Sequence, residues 1–154
     1  MTDTVAPTRE LSRVEFITLV AALMALNALA IDVMLPALPY MGEALGISHE
    51  NERQFVVGAY MLGFGIAQLA FGPITDRFGR RGPLFFGLAV YLVCAFAATF
   101  APTFGILLAL RFTQGLGAAG TRVIATAVVR DKFSGREMAE VMSLTFMIFM
   151  AVPI

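Results

Sequence analysis

Asp32, Arg111 and Arg122 are charged side chains that lie inside long apolar stretches of this chain. On insertion scales an unpaired charge at bilayer depth costs about 2.5 to 3.5 kcal/mol, so each should face protein or a wetted cavity. A carboxylate that changes partners between two states can take up a proton on one side of a barrier and release it on the other. Asp32 with Arg111 has the chemistry for that exchange; a static ion pair that only holds two helices in register is the alternative. Arg111 and Arg122 are eleven residues apart, which at about 100° per residue leaves them only about 20° out of phase. They share a helical face with Gly115 and Ala118 between them, and small residues beside long basic ones suit the wall of a cavity. Gln68, Gln114 and Asn27 add uncharged polar groups within apolar runs, available either to a substrate or to a neighbouring helix. Arg122 admits three readings: an anion ligand, the partner of an acid elsewhere, or part of a gate.

The elements that must position these groups follow from composition. The 154 residues are 58% hydrophobic and 14% charged, more apolar material than one soluble core of this size needs. The expected fold class is an all-α integral membrane protein. Apolar stretches run at about 16–38, 55–75, 83–104 and 106–129, and a fifth begins at about 138 and reaches 154. Each is long enough to cross a bilayer as helix, and none alternates with period 2 as a barrel strand would. Counting inward from their ends puts Asp32 and Arg111 at one depth, roughly 8 to 10 Å from the midplane on the same side. They are therefore expected partners. The 11 basic and 11 acidic residues cancel, giving no field for a nucleic acid. Cys94, the single cysteine, lies in an apolar run and reads as packing; His49, the single histidine, lies in a polar stretch and reads as solvated. No nucleophile with a base, no metal-ligand cluster and no phosphate loop can be assembled, so an enzyme is not expected.

Charge between the spans sets the expected orientation. Arg9, Arg13, Arg77, Arg80, Arg81, Arg130, Lys132 and Arg136 all fall on one side, opposite Arg53 alone, and basic residues near span ends stay cytoplasmic. The 1–13 tail should then be cytoplasmic. A cleavable signal peptide is the competing reading of Arg9 to Ala30, opposed by apolar character that continues to Leu38.

The short loop from Gly72 to Pro83, GPITDRFGRRGP, holds more than a topology signal needs. Gly72 and Gly79 permit close approach or positive φ, Pro83 suits a first helical turn, and Asp76 could pair with Arg77 or Arg80. Gly72, Asp76, Arg77, Gly79, Arg80 and Arg81 match the G-x-x-x-D-R-x-G-R-R loop of the major facilitator superfamily, which this segment resembles. LALRFTQGLGAA, Leu108 to Ala119, is similar to that superfamily's arginine and Gln-Gly motif, common in its proton-coupled members. AIDVMLPALP, Ala30 to Pro39, and AVVRDKFSGREMAEVMS, Ala127 to Ser143, resemble the Bcr/CflA-like drug and proton antiporters.

The resemblance implies the major facilitator fold, with 14–154 forming an incomplete first six-helix half: four transmembrane helices and the start of a fifth. It implies proton-coupled efflux of small molecules or drugs across the inner membrane by the complete protein, driven by the proton gradient with no cofactor. In that reading Asp32, Arg111, Gln114, Arg122, Gln68 and Asn27 serve proton coupling or substrate, and the 72–81 loop is a conformational switch. Partners would be the small-molecule substrate, the lipid bilayer and the remainder of the chain, which breaks off within its fifth apolar run, in a protein monomeric when complete. An uptake porter for a sugar or organic acid, or a small four-helix dimeric or assembly protein, are the alternatives. Met142, Phe146, Met147, Phe149 and Met150 suit helix packing or an adaptable apolar pocket.

Overall fold

The computed structural model describes residues 12–47 and 50–151, which form α-helices and a 3₁₀ turn with no strand among them. Arg9 and His49 lie outside the described residues. Helix α1, Arg13–Asp32, opens on a capping box: the Ser12 hydroxyl accepts from the Glu15 amide at 3.2 Å, and the Glu15 carboxylate accepts from the Ser12 amide at 2.9 Å.

The expected helix over 16–38 stops at Asp32 instead. Pro36 has no N–H to offer the Asp32 carbonyl and Pro39 none for Leu35, so the regular ladder cannot continue. The chain passes through the 3₁₀ turn Leu35–Ala37 into a short α2, Leu38–Ala44. Helix α3, Glu50–Phe78, is longer at both ends than expected and carries Pro73 in its interior. Helix α4, Arg81–Ala98, ends six residues short of 104. There the Thr99 hydroxyl donates to the Phe96 carbonyl at 2.7 Å, and Pro102 follows. Helix α5, Phe104–Lys132, is capped by the Thr103 side chain, and α6, Gly135–Ala151, starts at a glycine with φ +56°.

Among the described residues, three stretches are long and apolar enough to cross a membrane: Arg13–Ala44, Gln54–Phe78 and Arg81–Ala98. The expected fourth span, α5, is long enough at 29 residues, but Arg111, Gln114 and Arg122 dilute its apolar character. It lies at the centre of the bundle, packed on α3 and α4 and touching α1 and α6, so its polar groups meet protein.

Glycines set how closely the helices approach. A Cβ at Gly115 would collide with the Tyr60 carbonyl oxygen of α3, and one at Gly63 with the Phe112 carbonyl oxygen of α5. On the other flank a Cβ at Gly87 would come within 2.8 Å of the Gly117 carbonyl. Small residues on α5 therefore let backbones touch. This corrects the expectation of a cavity wall between Arg111 and Arg122: Gly115 and Ala118 are buried beneath α3.

Two apolar clusters close the ends. Phe16, Val20, Met24, Val129 and Val141 join α1, α5 and α6 at the basic end, with Met142 and Phe149 packed against them. Phe146, Met147 and Met150 are exposed. At this end Arg13 pairs with Glu140 at 3.1 Å, and the Lys132 ammonium sits 4.9 Å over the Phe16 ring. Met34, Val56, Ala98 and Leu107 form the opposite cluster. Cys94 is buried in α4 as a free thiol.

Candidate functional site

The bundle gathers the polar side chains of its apolar spans into two places. Nearer the Asp32 end, the Tyr60 hydroxyl of α3 donates to the Asn27 side-chain oxygen of α1 at 2.6 Å. The Tyr91 hydroxyl of α4 donates to the Leu26 carbonyl at 3.0 Å, where α1 has a free lone pair to offer. From α5, Arg111 Nη1 donates to Gln114 Oε1 at 2.8 Å, and the two tyrosine hydroxyls are the guanidinium's electrostatic neighbours. Four helices thus meet in one polar knot, and Asn27 and Gln114 both have protein partners. Burying these groups unpaired would cost about 1 to 3 kcal/mol each, so the knot fixes how the helices are rotated. Beside it opens a cavity of about 410 Å³, lined by apolar residues of α1 and α2 and by Tyr91, Arg111 and Gln114. Arg111 Nε is buried without a partner.

Asp32 is not part of this knot. Leu26, Leu29 and Ala30 of α1 and Val33, its C-cap, line the cavity, and at about 100° per residue Asp32 points roughly 110° away from their mean direction. Asp32 is half-buried, and the expected pair with Arg111 is not formed: the ion pairs among the described residues are Arg13 with Glu140 and Arg80 with Asp131. Met34 and Leu107, close in sequence to the two groups, do pack in one cluster.

Toward the basic end lies the second place, a cavity of about 340 Å³ between α3 and α5. Gln68, Gly72, Thr75 and Asp76 line it from α3, and Arg122, Thr126 and Arg130 from α5. The Arg122 guanidinium rests 5.9 Å over the Phe64 ring, which stacks on Tyr60 at 6.4 Å. The stacked pair therefore stands between Arg111 and Arg122 of α5. Gly72 needs neither positive φ nor close approach: nothing lies within 4 Å of a Cβ there, and it leaves the cavity open.

In the loop, Gly79 takes φ +78°, as its position between two helices demands. Pro83 is buried in the first turns of α4. Asp76 is exposed, and the pairing with Arg80 expected from the loop alone is not formed. Arg80 Nε reaches Asp131 at 2.5 Å near the end of α5, and Arg77 stacks on Phe78 with its guanidinium 5.6 Å from the ring centroid. Arg81 is exposed at the start of α4.

Sequence reasoning overlooked Tyr60, Tyr91 and Asp131. The first two carried a signal: a phenol in an apolar run brings a hydroxyl that must find a partner once buried. For Asp131, an acid flanked by Arg130 and Lys132 reads as locally neutralised, and its partner is fifty-one positions away in sequence.

A model of the Major Facilitator Superfamily matches residues 20–154. The chain is 37% identical over 116 residues to the chloramphenicol resistance protein of Pseudomonas aeruginosa, a stretch covering 75% of this chain and 27% of that protein. It is 32% identical over 139 residues to the bicyclomycin resistance protein homolog of Haemophilus influenzae, covering 90% and 35%. To multidrug resistance protein D of Escherichia coli it is 29% identical over 141 residues, covering 92% and 36%. The chain thus spans about a third of the length of these curated relatives. Because the family match runs from within α1 to residue 154, over helices able to span a membrane, this multi-pass membrane chain belongs to the Major Facilitator Superfamily.

Proposed function

We propose that the protein to which this chain belongs exports drug-like small molecules across the cytoplasmic (inner) membrane in exchange for protons. The observation that carries the reading is Arg111: a guanidinium in the middle of the bundle, half-buried, bonded to Gln114 and lining an apolar cavity of about 410 Å³. A cavity of that size and character accommodates a small amphipathic molecule, with the polar groups fixing its orientation. The resistance proteins among its relatives point to export. Asp32 is the proton carrier in this reading, and Arg111 its partner in another state of the cycle. The family's inverted repeats would place both near the surface where two halves rock about a bound substrate. Cells producing the full-length protein should accumulate less chloramphenicol than control cells, and dissipating the proton gradient should restore accumulation. Greater accumulation on expression would indicate uptake and overturn the reading.

The orientation rests on the basic residues gathered at one end of the bundle, Arg77, Arg80, Arg81, Arg130 and Lys132. A cysteine placed at Arg81 or Lys132 should react with an impermeant maleimide only after the cell is opened, and one at Glu52 in intact cells. Labelling of the first two in intact cells would invert the topology.

A further inference from the structure

An apolar groove runs along the outside of α3 and α4 at the basic end. It has a volume of about 430 Å³ and no polar lining. Ile66, Ala70, Ile74 and Phe78 form one edge at spacings of four residues, and Pro83 and Phe86 of α4 the other. From Ile66 to Phe78 the stripe is twelve residues long, about 18 Å at 1.5 Å per residue. One leaflet of a hydrocarbon core about 30 Å thick has nearly that depth. The groove is thus one acyl chain long and ends where the loop arginines begin.

Those arginines are not equivalent. Arg80 is committed to Asp131, whereas Arg77 and Arg81 are exposed and have no acidic partner among the described residues. Arg77 is tied to the groove by geometry, because its guanidinium stacks on Phe78, which lines the groove. Arg81 opens α4 two residues before Pro83, on the other edge. Two unneutralised cations therefore flank the mouth of a purely apolar slot. Topology alone would ask only for basic residues in the loop; it does not ask for a guanidinium stacked against the wall of a slot one leaflet deep.

We propose that this groove binds an anionic phospholipid, with one acyl chain along α3 and the acidic headgroup held by Arg77 and Arg81. A detergent or apolar drug would fill the slot but leave the two charges unanswered, and a zwitterionic lipid would answer them only in part. The proposal rests on the membrane location of the chain and not on what the protein transports. The loop joins α3 to α4, and Arg80 joins it to α5, so an occupied groove brings the headgroup to the segment that links three helices.

The test is native mass spectrometry of the full-length protein, purified in detergent and supplied with phosphatidylglycerol or with phosphatidylcholine of the same chains. Phosphatidylglycerol should be retained preferentially. Arg77→Gln and Arg81→Gln should each weaken its retention roughly fivefold, the worth of one basic residue at an anionic surface. Ala70→Trp, an exposed position whose larger side chain fills the slot, should reduce retention of both lipids with the arginines intact. Circular dichroism and a monodisperse elution peak establish that each variant is folded. Equal retention of the two lipids by the wild type overturns the proposal. So does wild-type retention in Ala70→Trp, which would reduce the effect to attraction of the headgroup alone.

Discussion

Gly115→Val in the full-length protein should all but eliminate folded protein from the membrane. The two branches of valine have to enter the space now filled by the Tyr60 carbonyl and the backbone of Phe64, and these are main-chain atoms that no rotamer change can withdraw. Helix α3 would have to move off α5, opening the Tyr60 to Asn27 hydrogen bond and the stacking of Phe64 beneath Arg122. Overpacking by single methylenes already costs about 1 to 3 kcal/mol, and here the loss of the neighbouring contacts is added. Gly65→Ala is the control: it lies on the same helix pair, has nothing within 4 Å of a Cβ, and should gain slightly in helix propensity. Yield and melting temperature of a fluorescent fusion on size exclusion read both variants. A Gly115→Val protein that elutes and melts as the wild type does would mean that α3 and α5 are not in backbone contact.

Asp32→Asn should abolish efflux driven by a pH gradient while leaving some binding of a neutral substrate. Asparagine keeps the size of the side chain and removes its titration. The site suits a group that changes partner: Asp32 is the last residue of α1, half-buried, and takes no part in the Arg111 and Gln114 bond. Its own carbonyl has lost the donor that Pro36 would otherwise supply, so the end of α1 is less tightly held than its middle. Asp32→Glu should retain part of the activity with a displaced pH profile, because the carboxylate moves by one methylene and still titrates. The measurement is transport into inverted or reconstituted vesicles under an imposed gradient. Wild-type gradient-driven transport in Asp32→Asn would place the proton elsewhere and leave Asp32 without a coupling role.

Position along each helix was legible in the sequence and rotation was not. Hydropathy places Asp32 late in its span and Arg111 early in its own, and Met34 and Leu107, near them in sequence, pack in one cluster. It cannot say which way Asp32 points, because α1 is apolar all round and gives no stripe from which to measure a face. The face of α5 carrying Gly115 and Ala118 was misread for a related reason. Small residues in a span serve a cavity and a backbone contact equally well, and only the partner helix decides. Gly79 was legible because a turn this short between two helices needs a left-handed residue. The partner of Arg80 was not, since Asp131 comes close only once α5 has run the length of the bundle. Tyr60 and Tyr91 were legible as a demand for two hydrogen bonds, though not as the bonds that fill it.

The central place of α5 bears on how the chain enters the bilayer during synthesis. Against it stand two arginines, at about 2.5 to 3.5 kcal/mol each near the centre of a span, and the polar Gln114. In its favour are the eleven large apolar residues between Phe104 and Val129, at about 0.3 to 0.6 kcal/mol each. The two sides roughly cancel, so α5 released alone from the translocon has little reason to leave water for lipid. Helices α3 and α4 precede it in the chain and already present Gly63 and Gly87, the notches into which its backbone fits. Its solvent on insertion is then the pair of helices made just before it, and the order of synthesis supplies that solvent in time.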